Sequence, residues 1–203
     1  MKLKTAIIVA VSAASLFGIV IASAAPSSKK GPTAPGAQKG VDADNARHAQ
    51  RMLDEGRNIF RYDTFGSEAF WGDLLELHKA IAGEKNGGIG PGVSPKTALS
   101  VGLKVDADAL PTALKQQLKA GKVNLEDPTT TIALLKLNAV VGVTAFANPD
   151  GSVRSMGIQC AFCHSTVDNS FAPGIGRRLD GWANRDLNVG AIVSLAPNLK
   201  PFT

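Results

Sequence analysis

The sequence predicts a mainly helical domain with one β-hairpin, which leads into a short helical segment near the C-terminal end. Three observations support this prediction. Apolar residues recur at helical spacing between residues 42 and 82, three later helix starts carry a proline in the first turn, and a β-rich run with a strong turn occupies residues 139–158. Apolar residues make up 44% of the chain, which is enough for a hydrophobic core.

Residues 1–24 have the pattern of a secretory signal peptide. Lys2 and Lys4 precede an apolar run from Ala6 to Ile21, and an A-x-A cleavage site follows it. The run is shorter than the roughly 20 residues that span a bilayer, so we expect cleavage, with an uncleaved membrane anchor as the alternative. Loss of the two lysines would lower the formal net charge from +5 to +3.

Residues 25–41 are rich in Pro, Gly, Ser and Lys and show no apolar periodicity, which predicts a flexible linker. The folded domain is predicted over residues 42–203. Its first helix is expected at 42–61, where Asp residues lie near the start. Ser67 can cap a second helix at 68–82, and His78 lies on or beside the apolar face of that helix.

Three further helices are predicted from proline in the first turn, at 95–103, 110–120 and 128–138. The period then changes. Residues 139–147 and 152–158 are predicted to pair as a β-hairpin across the turn Asn148-Pro149-Asp150-Gly151. A lone hairpin is marginally stable in water, so it should pack against the helices. Residues 168–188 are polar and rich in turn residues, which predicts a loop.

The hairpin leads into Cys160-Ala161-Phe162-Cys163-His164, a C-x-x-C-H run. This spacing is the attachment signature of a c-type haem, because two thiols one helical turn apart can each add to one vinyl group of the porphyrin. The imidazole of His164 can then bind the iron from below. A structural disulfide or a thioredoxin-like pair gives the histidine no role, and the second also needs a βαβ context that is missing here.

Four residues after the motif are candidates to surround the haem. Pro173 could offer the carbonyl that accepts the Nδ1 proton of His164, although an ordinary loop proline fits equally well. Arg177, Arg178 and Trp182 could donate to the haem propionates. The alternatives are a solvated basic pair and a core tryptophan.

The second axial ligand of the iron is left open by the sequence, because no Met follows residue 164. His78 is the first candidate, since it is flanked by apolar residues; a hydrogen-bonded core histidine is its alternative. His48, Met52 and Met156 are weaker candidates, and the position could also be open. Two strong axial ligands favour electron transfer, whereas an open position permits binding of peroxide or a small gas.

The motif and the following APGIGRRLDGWANRDLNVGAIVSLAPN resemble the haem-binding part of bacterial periplasmic c-type cytochromes, closest to cytochrome c and di-haem cytochrome c peroxidase-like proteins. The stretch GRNIFRYDTFGSEAFWGDLLELHKAIAG is similar to the N-terminal region of the same group. The resemblance implies a cytochrome c-like helical haem domain in the periplasm. Such peroxidases carry two C-x-x-C-H motifs, whereas this sequence has one, so we expect a form shortened relative to its relatives.

These observations favour an exported mono-haem electron carrier over an enzyme, with haem c and its iron as the cofactor. A peroxidase-like haem enzyme, or its electron-entry fragment, is the alternative, and a five-coordinate ligand sensor of the cytochrome c′ kind is a third reading. Redox proteins or quinol-linked donors are the expected partners. Basic residues are not interleaved with aromatics, which argues against nucleic acid; the charge is compatible with an anionic membrane surface.

Overall fold

The computed structural model describes residues 35–202. Helical residues account for 47% of the structure and strand residues for 14%, with the strands in small sheets, so the prediction of a mainly helical domain holds at this level. The chain separates into two units at Asp44 and Asn45, and residues 45–202 of the second contain the core and the candidate site. Within residues 35–202 no helix has both the length and the hydropathy to cross a membrane. The predicted signal peptide lies outside the described residues.

The first helix, α1 (Pro35–Tyr62), begins seven residues before the predicted start. Residues 35–41, which were predicted as linker, are therefore helical here. Proline is well tolerated in the first turn of a helix, where its missing N–H costs no bond, and the residues that follow contain no further proline. The predicted turn after α1 is present: the backbone N–H of Phe65 donates to Asp63 at 2.8 Å, and Gly66 has a φ of +77°.

The single helix predicted at 68–82 is wrong, because the structure has two short helices there. A π-helix covers Ala69–Leu74, and α2 covers Leu77–Ala82 after Glu76 turns to a left-handed conformation at φ 54°. The helical period carries no sign of this break. Gly72, inside the π-helix, makes a close tertiary contact, since a Cβ there would lie 1.8 Å from Ser155 Oγ.

Three further α-helices are present: two start at the predicted proline, and the helix predicted from residue 110 starts two residues later, after Pro111. They are α3 (Pro95–Ser100), α4 (Thr112–Lys119) and α5 (Pro128–Lys136). Side-chain caps precede two of them: Ser94 Oγ accepts from the Thr97 N–H at 3.2 Å, and Asp127 accepts from the Thr129 N–H at 2.9 Å. All three helices end earlier than predicted, since the last turn of a helix is the part least determined by local sequence.

The predicted hairpin is confirmed as β2 (Val143–Ala147) paired antiparallel with β3 (Val153–Ile158). Gly151 closes the turn at φ +84°, where an L-residue would be strained. The hairpin packs against the π-helix, α2 and α5, as its marginal stability alone requires. It delivers the chain into α6 (Ala161–His164), which carries the motif.

Apolar side chains from α2, α5, the hairpin and α6 form one core. Burying each such side chain contributes about 1.5–3 kcal/mol. A small cavity of about 40 Å³ remains inside it, lined almost wholly by apolar atoms. The most buried members of this core cluster are Leu75, Leu77, Ala82, Leu110, Leu135, Ala139, Val143, Met156, Phe162 and Ile175.

Residues 168–188, predicted as loop, contain short strands. The segment β4 (Ser165–Val167) pairs antiparallel with β6 (Arg178–Asp180), and β1 (Val105–Asp106) pairs parallel with β5 (Ile175–Gly176). Such strands are only two or three residues long, so they leave no alternation of apolar and polar residues to read. The helix α7 (Val189–Val193) was also not predicted; Asn188 caps it through the Ala191 N–H at 3.0 Å.

Gly142 brings the backbone before the hairpin against the motif helix. Its φ is +82°, and a Cβ at this position would lie 2.1 Å from the Cα of Phe162. We predict that Gly142→Ala lowers the free energy of unfolding by about 3 kcal/mol, since the contacted atoms are backbone and cannot move aside. Chemical denaturation with a circular dichroism readout measures the loss.

Gly121→Ala is the matched control for this prediction. Gly121 also has a positive φ, +64°, but a Cβ there would meet nothing within 4 Å. The control should lose only the conformational cost, about 1 kcal/mol. Equal losses in the two variants would show that the approach of Gly142 to α6 is not a constraint on the fold.

Candidate haem-attachment site

The motif forms one helical turn. Cys160 has helical dihedral angles at the N-cap of α6, and the His164 N–H donates to the Cys160 carbonyl at 3.3 Å. Residues three apart in a helix lie on the same side, so the two cysteine side chains share a face. The turn therefore has the geometry that attachment to one flat molecule requires.

The turn has a buried face and an exposed face. Ala161 is 0% exposed and Phe162 is 4% exposed, and the phenylalanine lines the apolar cavity of the core. Cys160, Cys163 and His164 are all exposed, and both cysteines are free thiols. The two spacer residues thus anchor the turn, while the three chemically active side chains face outward.

The loop of residues 181–188, which we call the capping loop, covers the end of α6. The last carbonyls of a helix have no partner within it. Here the Gly181 N–H donates to the His164 carbonyl at 2.8 Å, and the Asn184 N–H donates to the Cys163 carbonyl at 2.9 Å. The capping loop therefore fixes the backbone of the second cysteine and of the histidine.

The capping loop is itself held by residues 101–104. Asn184 Nδ2 donates to the Gly102 carbonyl at 2.9 Å, and the buried amine of Lys104 pairs with Asp186 at 2.5 Å. The approach is close, because a Cβ on Gly102 would lie 2.1 Å from the carbonyl oxygen of Asp186. The loop is thus fixed on two sides, although no periodic pattern marks it in the sequence.

Trp182 lies on the capping loop between the two residues that bond the motif. Its side chain is not part of the core, since it is 67% exposed. The alternative of a core tryptophan therefore does not apply. Trp182 is thus an exposed indole on the loop that bonds the motif backbone, and its contact with a haem propionate stays a prediction.

The two arginines have different surroundings. The Arg177 side chain is 73% exposed, with its Nε 3.5 Å from Asp108. The Arg178 side chain is 3% exposed, and its Nε donates to Asp180 at 2.8 Å. Arg177 is thus in an exposed ion pair and its contact with a propionate stays a prediction, whereas Arg178 is in an internal ion pair.

A cluster around Asp180 was missed by the sequence analysis. Arg61, from the end of α1, pairs with Asp180 at 2.6 Å, and Ser165 Oγ donates to the same carboxylate at 2.8 Å. Partial burial by itself raises the pKa of Asp180, but the Ser165 hydrogen bond and the two arginines hold that pKa below its usual value. The 119 positions between Arg61 and Asp180 explain why no local pattern indicated their contact.

Pro173 is exposed and lies in the turn before β5. Among the described residues no hydrogen bond joins its carbonyl to the ring of His164. The following residue, Gly174, accepts from the Val105 N–H at 2.9 Å through its carbonyl, so the turn is held by β1. The proposed bond to the histidine ring stays a prediction.

His78 is buried on α2, 8% exposed, and its Nδ1 has no hydrogen-bond partner within residues 35–202. Burial, and then the charge of Lys79, lowers the pKa of His78, so its ring is neutral at neutral pH. The groups that act on the ring come from residues 72–79 rather than from the motif. The structure therefore supplies a neutral imidazole with a free nitrogen but does not bring it to His164.

The other candidate ligands lie elsewhere. His48 is on α1, with its Nδ1 3.2 Å from Arg51, and Met52 is 60% exposed on the same helix. Met156 is 3% exposed and lines the core cavity together with Phe162, on the inner side of the motif turn. Among the described residues, no contact joins any of these three side chains to the exposed face of the motif.

Comparison with protein-family models, with curated proteins and with solved structures gave no match. The assignment of a role to this site therefore depends on its own chemistry.

The donor set fits a covalently attached haem. No group of three or more His, Cys, Asp or Glu in the described part of the chain could hold a bare metal ion. A haem does not need one, because the porphyrin itself holds the iron and the protein adds one or two axial ligands. Two exposed free thiols one turn apart, next to an exposed imidazole, are the groups such a cofactor uses.

The cluster around Asp180 should make stability depend on pH. We expect Asp180→Asn to lower the free energy of unfolding by about 2 kcal/mol near neutral pH, because Arg178 is buried and loses its charged partner. Since the pKa of Asp180 is lower in the folded than in the unfolded chain, the carboxylate stabilises the fold above about pH 4. This stabilisation is lost as the pH falls through the folded value.

Urea denaturation of both proteins across the range from about pH 7 to about pH 3 measures this effect. The difference between wild type and Asp180→Asn should shrink towards the acid end, since protonation does to the wild type what the substitution does to the variant. If the difference in the free energy of unfolding were constant across this pH range, the contribution of Asp180 to stability would not come from its charge.

Proposed function

We propose that this protein is an exported mono-haem c-type cytochrome that carries electrons, built on a cytochrome c-like helical domain. Haem c is attached through Cys160 and Cys163, and His164 is an axial ligand of its iron. The observation that carries the proposal is the division of the motif turn. Its spacer residues are buried in the core, whereas both thiols and the imidazole are exposed on one braced turn.

The part of the chain in this function is to attach the haem, to orient it and to cover it. Each thiol adds across one vinyl group, so that sulfur bonds to carbon and the thiol hydrogen moves to the neighbouring carbon. When bound, the haem supplies reversible one-electron chemistry at its iron. The capping loop holds the backbone of His164, and the exposed side chains of Trp182 and Arg177 are the candidates to contact the ring and a propionate.

Compartment and partners belong to the same proposal. Covalent haem attachment takes place outside the bacterial cytoplasm, which agrees with the secretory signal predicted at residues 1–24. The mature chain then acts in the periplasm, either free or held by its N-terminal segment. Redox proteins or quinol-linked donors would exchange electrons with it at the surface that bears the motif.

Covalent attachment is tested by producing the full chain in a periplasm with haem-attachment machinery. We expect haem to stay with the polypeptide through denaturing electrophoresis and acidic acetone extraction. Cys160→Ala or Cys163→Ala should leave a single thioether, visible as a shifted absorption band of the pyridine complex. The double variant should lose the haem on extraction, and His164→Ala should keep it but change its spectrum.

Phe162→Leu is the matched control for these variants. It changes the residue between the cysteines but acts on the buried face of the turn, so attachment should be unchanged. A wild-type chain that emerges colourless, with both thiols open to alkylation, would refute the proposal. Rapid turnover of peroxide by the haem-loaded protein would instead identify the peroxidase-like alternative.

The role of His78 is tested by comparing the His78→Ala variant with wild type in the haem-loaded protein. If its unpartnered Nδ1 ligates the iron, His78→Ala should convert a low-spin ferric spectrum to a high-spin one, and added imidazole should reverse the change. An unchanged low-spin spectrum in the alanine variant excludes His78 as the ligand. His48→Ala, on the exposed helix α1, is the control histidine.

A further inference from the structure

Asp180 joins three parts of the chain next to the motif. Its Oδ1 accepts from Ser165 Oγ and from Arg178 Nε, each at 2.8 Å. Its Oδ2 accepts from Arg61 Nε at 2.6 Å. The carboxylate thus accepts hydrogen bonds from three residues, which fix its position more firmly than a single ion pair would.

The same cluster reaches His164 through the backbone. Ser165 directly follows His164 and is 0% exposed, and it is paired with Asp180 in the β4–β6 ribbon. Gly181 directly follows Asp180 and donates to the His164 carbonyl at 2.8 Å. The residue after the histidine and the carbonyl of the histidine are thus both tied to positions 180 and 181.

The charges of the cluster depend on one another. Arg61 and Arg178 face two carboxylates, Asp180 and the buried Asp106, both of which act on the two guanidinium groups. Arg178 is the most dependent, since its side chain is 3% exposed and its Nη2 has no partner within residues 35–202. Without Asp180, two cations would face one carboxylate in a largely buried site, so the surrounding backbone would have to shift.

We infer that Asp180 is a positioning residue for His164, and that Arg61 connects the end of α1 to it. The inference rests on the proposed function, in which His164 binds the iron. Asp180 does not touch the imidazole; it acts by holding Ser165 and Gly181, which flank the histidine backbone on two sides. The backbone from which the imidazole extends is then held on both sides, which limits the positions from which the ring can reach the iron.

Two variants of the full chain separate positioning from charge. Asp180→Asn removes the charge and weakens all the bonds of the cluster. Ser165→Ala removes only the hydroxyl that links the cluster to the residue after His164, so it changes no charge and keeps both ion pairs. Asp180→Glu restores the charge with one more methylene. Glu126→Gln is the matched control, because it removes an equal charge from an exposed ion pair with Lys96, outside the capping loop and without a bond to Ser165.

In the haem-free chain, hydrogen exchange of the Gly181 amide should become at least about tenfold faster in Asp180→Asn and Ser165→Ala than in wild type. In the haem-loaded chain, Asp180→Asn should raise the ferrous-to-ferric ratio at the wild-type midpoint about threefold, equivalent to about 30 mV, because ferric iron loses a nearby negative charge. Both variants should broaden the ferric electron paramagnetic resonance signal, which reports the orientation of the axial ligand.

The outcomes distinguish this inference from the proposed function. The inference stands if Ser165→Ala changes the Gly181 exchange and the resonance signal while Glu126→Gln changes neither, and if Asp180→Glu restores part of the wild-type signal. It is overturned if haem-loaded Ser165→Ala matches wild type, since a charge effect alone would then explain Asp180→Asn. A wild-type chain without haem overturns the proposed function first, and the iron-related part of the inference with it.

Discussion

The candidate site depends on tertiary contacts that stabilise α6, a helix too short to be stable by itself. A turn of four residues cannot form on its own, because nucleation fixes several dihedral angles for one hydrogen bond. Here Gly142 supports α6 from the core side and the capping loop bonds its last two carbonyls. The outward direction of Cys160, Cys163 and His164 is a consequence of these contacts, and the chemistry proposed for them follows from that direction.

Features written in local sequence were predicted well. Proline in the first turn located α3 and α5, because its fixed φ and missing N–H suit that position. The hairpin was located by a β-branched run and an Asn-Pro-Asp-Gly turn. The motif forms the helical turn that its spacing predicts, while its role in haem attachment stays a prediction.

Features that depend on contacts between distant residues were not predicted. The helix expected at 68–82 is interrupted at Leu75 and Glu76, and its Gly72 packs against Ser155 of β3; the helical period indicates neither feature. Arg177 and Arg178 were treated alike as donors to the propionates, with a solvated basic pair as the alternative, but burial and the bond to Asp180 give Arg178 different surroundings. The β4–β6 ribbon is set by the ion cluster and by pairing, so neither propensity nor alternation could have indicated it.

The buried spacer has a consequence for transplanting the motif. Ala161 and Phe162 are buried, whereas the other three residues of the pentapeptide are exposed, so the motif has a reactive face and a packing face. A recipient scaffold would therefore need an apolar cavity that accommodates the alanine methyl group and the phenylalanine ring under the transplanted motif. Without that cavity, the two cysteines would keep their spacing in sequence, but their sulfur atoms would no longer point in a common direction.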